Sequence, residues 1–234
     1  MARNVVWKSH DRAIHSRIAI LITNDTIQGR LTDLRILPAG DWGVLIEVDS
    51  SQVQGVAGWL SRCKWASWID EIVPGHSTVL VMARAHLNDI AAAVHTATWD
   101  THDTVRSGTT RTIDVAYGGP DFEEVCHATG LARHEVIAIH TGAEHIVSHF
   151  GFSPGFPYLT GLPERLYLPR RATPRASVEP NTLAIAAGLT IIYPGGTPGG
   201  WNLIGTARTP VFWDVEKTPP NLLSLGDRII FREA

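Results

Sequence analysis

Gly151-Phe152-Ser153-Pro154-Gly155-Phe156-Pro157-Tyr158-Leu159 opens the stretch on which the rest of the chain turns. It continues through Leu168-Pro169-Arg170-Arg171-Ala172-Thr173-Pro174-Arg175 and closes on Ile192-Tyr193-Pro194-Gly195-Gly196-Thr197-Pro198-Gly199-Gly200-Trp201. Eight of the chain's 14 prolines and eight of its 21 glycines fall between Gly151 and Trp201. Proline pins φ near about −65° and removes a backbone donor, whereas glycine opens the region of positive φ. A stretch so punctuated excludes long helix and central strand, and predicts turns and loops between short strands, the usual carriers of function. Phe152, Phe156, Tyr158, Tyr193 and Trp201 sit among those turns. Two readings stay open for them: aromatics on rigid loops wall a pocket or an interface, or they plug the core of a turn-rich β-barrel.

Composition narrows the class. A chain of 234 residues, 44% hydrophobic with a formal charge of −3, suits a globular protein of two small domains and gives no electrostatic reason to hold nucleic acid. The longest early aliphatic run, Ile18 to Ile22, is far too short to span a membrane, and the first residues lack a signal-peptide core, so the expected location is the cytoplasm. Cys63 and Cys126 have neither CxxC spacing nor a disulfide framework and read as packed thiols.

Taken in order, residues 1–33 carry no clear pattern beyond a candidate strand at Ile18–Ile22 and are assigned as an N-terminal extension. Residues 34–98 read as a small α/β domain. Val44 to Val48 is a β-branched strand, Gln52 to Trp59 has helical spacing, Trp68 to Val73 and Thr78 to Ala83 are strands, and Asn88 is placed to cap a helix over Asp89–Thr96. The order is read as a ββαββα unit, which suits helices packed on one side of an antiparallel sheet. The polar run 98–111 is the expected linker. From Arg111 to Tyr117 the chain alternates as a strand, and Asp121 with Glu124 has the spacing of a capping box for a helix ending at Gly130. A second helix is expected over Glu135–His140, then strands at Ile146–Phe150, Pro210–Trp213 and Asp227–Phe231.

Several motifs invite chemistry. Gly151-Phe152-Ser153-Pro154-Gly155 has the letters of a nucleophile elbow, but the residue after the serine is Pro154, which has no N–H for an oxyanion, and no helix follows. Ser153 is therefore rejected as a nucleophile. Gly195 to Gly200 is not followed by the Lys-Ser/Thr of a P-loop, although glycines there let backbone approach an anion closely. Arg165, Arg170, Arg171 and Arg175 form one local basic cluster held by Pro169 and Pro174. Eleven histidines include His145 and His149 four apart, without an HExxH or carboxylate grouping, and no metal site is expected.

The order GFSPGFPYL, LPRRATPR, AIA, IYP, TPGGW and IG resembles the allophanate hydrolase subunit 1 family, over about residues 36–234. That family includes the B subunit of bacterial 5-oxoprolinase, an inhibitor of a sporulation histidine kinase, and one half of a carboxyltransferase domain. The resemblance implies an α+β fold, with a small ββαββα N-terminal domain and a cyclophilin-like β-barrel over residues 111–234. It implies a subunit, inactive alone, of a heteromeric carboxyltransferase-like amidohydrolase that works on a small amide or lactam together with a related second subunit. The family's other function is a non-catalytic module that binds and inhibits a histidine kinase. ATP is implied at the level of the complex, and no cofactor is held covalently, since Lys8, Lys64 and Lys217 lack the Met-Lys-Met setting of a biotin acceptor.

The resemblance makes Arg170, Arg171 and Arg175 the candidates for gripping a carboxylate in bidentate fashion. Phe152, Phe156, Tyr158, Tyr193, Thr197, Gly199, Gly200 and Trp201 are the expected remainder of the substrate site. His140 matches a family histidine with a structural or proton-transferring role. Two departures bear on substrate: Leu189 stands where relatives carry a glutamine, and Thr206-Ala207 is inserted after Gly205.

Overall fold

The computed structural model describes residues 34–98, 108–208 and 212–234. The expected N-terminal extension, its strand at Ile18–Ile22, most of the 98–111 linker and Pro210-Val211 lie outside the described residues.

The first elements are β1 (Arg35–Pro38), β2 (Gly43–Glu47), α1 (Val53–Arg62), β3 (Ile69–Pro74), β4 (Thr78–Ala83) and α2 (Leu87–Thr96). This is the ββαββα order expected from sequence. The strands form one antiparallel sheet in the order β1-β2-β4-β3. Alternation along β2 and β4 turns Val44, Ile46, Val79 and Val81 to one face, where Val53, Val56 and Leu60 of α1 and Ile90 and Val94 of α2 cover them. The start of α2 differs from expectation. His86, at φ 63°, precedes the helix, and its ring meets Asp89 Oδ2 at 2.9 Å, so Asn88 lies inside the helix and is not its cap.

The remaining elements are β5 (Thr110–Tyr117), α3 (Phe122–Thr129), α4 (Arg133–Thr141), β6 (Glu144–Phe150), β7 (Pro157–Thr160), β8 (Arg175–Val178), β9 (Thr182–Ala186), β10 (Leu189–Ile192), β11 (Thr197–Gly199), β12 (Asn202–Ala207) and β13 (Arg228–Glu233). Seven of them close a barrel in the order β10-β7-β6-β13-β5-β12-β9, so an α+β chain with a C-terminal β-barrel is what the structure contains. Only β13 and β5 run parallel in that barrel; the other pairs are antiparallel. The period of two sorts its side chains. Val115, Leu159, Leu183, Ile185, Ile192, Ile204, Ile229 and Phe231 share one core with Phe122 and Val125 of α3 and Val136 of α4. Residues of opposite parity, Tyr158, Ala184, Ala186, Leu189, Ile191, Tyr193 and Leu203, belong to a second buried cluster together with Phe156, Val178 and Trp201.

That second cluster is covered by the two-stranded β8–β11 flap, in which Thr197 pairs with Val178 and Gly199 with Arg175 across a bulge. The strand expected at Pro210–Trp213 is not formed in its described part: Trp213 makes only an isolated bridge to Asn221, and Phe212 is a buried plug of the barrel core. Apolar residues in a row satisfied the pattern of a strand but serve here as packing in a loop. No helix among the described residues is long and apolar enough to cross a membrane.

Candidate functional site

Ten residues wall a cavity of about 210 Å³ between the barrel's outer face and the flap: Phe152, Phe156, Tyr158, Arg170, Pro174, Tyr193, Pro198, Gly199, Gly200 and Trp201. The loop between β6 and β7 sets one side. Phe152 takes φ 69° and Gly155 φ 73°, so the chain doubles back and Phe156 drops into the cluster while Phe152 stays exposed at the rim. A Cβ on Gly155 would come within 2.5 Å of the Trp213 side chain, which is why only glycine fits under that indole. The rings then interlock. Phe156 meets Tyr193 edge-on at 5.2 Å and Phe152 edge-on at 5.5 Å, while Tyr158 lies 6.0 Å from Trp201.

The arginine-bearing strap Leu168–Pro174 closes the opposite side and is pinned by its own backbone. Ala187 N–H donates to Leu168 O at 2.8 Å, the Asn202 amide to Pro169 O at 3.0 Å, and Arg171 N–H to Gly200 O at 2.7 Å. Pinned this way, Arg170 reaches over the Trp201 ring, 5.2 Å from its centroid, and faces the cavity. It has no carboxylate partner among the described residues, and the side chain is exposed to solvent.

Arg171 and Arg175 are placed differently from the expected substrate clamp. Arg171 Nη1 donates to Asp121 Oδ1 at 2.9 Å and to Glu124 Oε2 at 2.5 Å, and Arg175 Nη2 donates to the same Asp121 oxygen at 2.6 Å. Asp121 is only 3% exposed, and its other oxygen accepts from Leu203 N–H at 2.7 Å. The expected capping box is thereby overturned. Asp121 occupies the N-cap position of α3 but caps no helical N–H, because two guanidinium groups and a strand amide claim both of its oxygens. Glu124 likewise reaches Arg171 in place of the backbone.

His140 is not at the cavity. It is fully buried in the barrel core, with Nδ1 2.7 Å from the Tyr117 hydroxyl, Nε2 3.3 Å from Thr190 Oγ1, and its ring 4.8 Å from Phe231. Burial, and then the neighbouring His145, holds it well below the usual imidazole range, so it is a neutral structural hub. Thr197 also stays out of the lining: it sits on β11 with a buried hydroxyl that finds no partner among the described residues. Ser153 Oγ is buried without a hydrogen-bond partner among them too, so no histidine activates it. Leu189, in the position of the family glutamine, packs in the buried cluster with Phe156 and Trp201 and gives that wall no polar group.

Three further residues belong to the site although the sequence reading gave them no role in it. Pro174 and Pro198 line the cavity as rigid walls. His149 lies behind Tyr158 with the two rings parallel, 4.4 Å apart and at an interplanar angle of 6°. The Ser148 hydroxyl donates to Tyr158 O at 3.0 Å and so accepts from His149 Nδ1 at 2.9 Å, which fixes the neutral tautomer with its lone pair on Nε2. Burial and then His76 push His149 down to about 4. Gln54 of α1 donates to Ser148 O at 2.5 Å, and His76, between β3 and β4, lies 6.0 Å from His149, so the N-terminal sheet buttresses the cavity from behind.

Comparison with known proteins places this geometry in a family. The family described as carboxyltransferase domain, subdomain C and D, matches residues 34–223. The B subunit of 5-oxoprolinase from Bacillus subtilis (strain 168) is 45% identical over 123 residues, 51% of this chain and 50% of that protein. The B subunit of 5-oxoprolinase from Escherichia coli O157:H7 is 43% identical over 122 residues, 51% of this chain and 56% of that protein. The aligned region thus spans about half the length of these curated relatives. Among solved structures, the conserved uncharacterized protein PH0987 from Pyrococcus horikoshii is 32% identical with a TM-score of 0.52, over 86% of this chain and 97% of that one. The Kluyveromyces lactis urea carboxylase shares the fold, with a TM-score of 0.64 at 17% identity over 89% of this chain and 23% of its own.

Proposed function

This chain belongs to the carboxyltransferase-domain family, subdomain C and D, and we propose from that premise that it is one subunit of a heteromeric amidohydrolase acting on a small amide or lactam of the 5-oxoproline class. The observation that carries this reading is the cavity itself. Five aromatic rings and one guanidinium with no carboxylate partner among the described residues line about 210 Å³, the space of roughly seven liquid waters. A flat, acidic molecule of about ten heavy atoms suits such a space, and a nucleoside triphosphate does not.

Among the described residues the chain offers binding groups but no assembled nucleophile and base. Its role in this reading is to hold and orient the substrate, while a second, related subunit completes the reaction against the open rim at Phe152 and Arg170. If the complex activates the amide oxygen with ATP, the nucleotide sits outside this cavity. Sequence identity with proteins named as the B subunit of 5-oxoprolinase supports the substrate class.

The test is co-expression with the second carboxyltransferase-like subunit, followed by a screen of small amides for phosphate and ammonia release. The expected result is a fixed-ratio complex that turns over 5-oxoproline with ATP, where neither subunit does so alone. A chain that remains unpartnered, or a complex inert toward every small amide, contradicts the proposal.

A further inference from the structure

Tyr158 walls the cavity from β7, and one inserted residue on β6 decides what stands behind it. The register pairs Val147 with Leu159 and then His149 with Tyr158, so Ser148 is the extra residue of a β-bulge. Without the bulge, the period of two would send His149 into the barrel core beside Val147 and Leu159. The bulge reverses that parity, and Phe150 takes the inward place. His149 lies flat on Tyr158 at 7% exposure, outside the cavity's lining. Ser148 locks the pair, since its hydroxyl accepts from His149 and donates to Tyr158 O. From the other side the N-terminal domain holds the bulge, with Gln54 of α1 on Ser148 O and His76 beside His149.

We infer that His149 is a positioning residue for this cavity: it holds the Tyr158 ring from behind and makes ligand binding depend on the N-terminal domain, none of whose described residues lines the cavity. The inference deepens the functional reading above and rests on it for the substrate used in the test. Of the ring contacts that Tyr158 makes among the described residues, only the one with His149 is face to face. Phe156, at 5.2 Å, and Trp201, at 6.0 Å, are both tilted against it. A flat ring behind Tyr158 therefore sets its plane, and with it the width of the cavity. Burial keeps the imidazole uncharged at neutral pH, so it packs as an aromatic ring whose one N–H is spent on Ser148.

Two measurements test this. In the full chain without ligand, aromatic-carbon NMR, with Tyr158 assigned from Tyr158→Phe, should show its ring signals displaced by the imidazole 4.4 Å away. That displacement should be lost in His149→Ala and kept in His149→Phe. In the reconstituted complex, His149→Ala should raise KM for 5-oxoproline about three- to tenfold, the loss that one stacked ring pair converts to, with kcat held within about twofold. His149→Phe, which restores a flat ring, should bring KM back to within about twofold of wild type. Gln54→Ala, remote from the cavity, should raise KM about threefold through Ser148. Should His149→Ala fail to fold, the His149→Phe and Gln54→Ala variants decide. Unmoved Tyr158 signals or wild-type KM in His149→Ala, wild-type KM in Gln54→Ala, or no recovery with His149→Phe overturns the inference. A complex that does not turn over 5-oxoproline sinks the functional reading and leaves the ring signals to decide this one.

Discussion

Phe152 keeps a bulky aromatic side chain at φ 69° and 65% exposure, on the rim of the cavity. A left-handed conformation costs a non-glycine residue about 1–2 kcal/mol, and an exposed ring recovers little of that by burial. Phe152→Gly is therefore expected to raise stability by about 1 kcal/mol in urea unfolding while weakening ligand binding, whereas a loss of stability would show that the ring packs more than its exposure indicates. Gly199 has the opposite constraint. Gly199→Ala places a methyl against the Tyr193 hydroxyl and should abolish ligand binding in calorimetry; retained affinity would mean the flap yields freely. At this scale the Gly/Pro pattern pointed to the aromatics and to Gly199, Gly200 and Arg170, and these residues line the cavity, because rigid turns restrict where such side chains can go. The placement of Arg171 and Arg175 was not legible. Their carboxylate partner Asp121 lies 50 and 54 positions away, and local spacing presented it as a helix cap.

The strap, α3 and β12 are tied together by that one carboxylate. Asp121 bonds Arg171 and Arg175 on the strap and flap side and the Leu203 amide on β12, so its removal strands two cations and a buried donor. Asp121→Ala should cost about 3 kcal/mol of unfolding free energy, the low end for a broken buried pair because both guanidinium groups touch solvent. A cost near zero would show that the strap is held by its backbone bonds alone. Elements were easiest to read where hydrophobic periodicity decided them, as in the ββαββα order and in the strands that became β5, β6 and β13. Pro210–Trp213 failed as a strand because Phe212 is apolar for reasons of loop packing, which no period of two distinguishes from a strand.

The whole molecule buries neutral imidazoles at two levels. His140 and His145 sit in the barrel core and His149 behind the cavity, all held below the ordinary imidazole range chiefly by burial. In the unfolded chain each takes a proton near about 6.5, so below that pH the unfolded state binds more protons than the folded one. Stability is therefore full above about 6.5 and falls as the pH drops toward about 4, where His149 itself titrates. Thermal melting should be lower at pH 5 than at pH 7.5, and His149→Gln should shrink that difference; a flat profile would mean these rings are already charged when folded. The barrel was legible from the glycine and proline pattern only through resemblance, since closure depends on β13 returning between β5 and β6, a long-range pairing that local pattern does not encode. The most direct measurement of the whole account is 5-oxoproline-dependent phosphate release by the reconstituted complex carrying Trp201→Ala. The cavity as substrate site predicts an intact complex with its turnover lost, and an undiminished rate would contradict it.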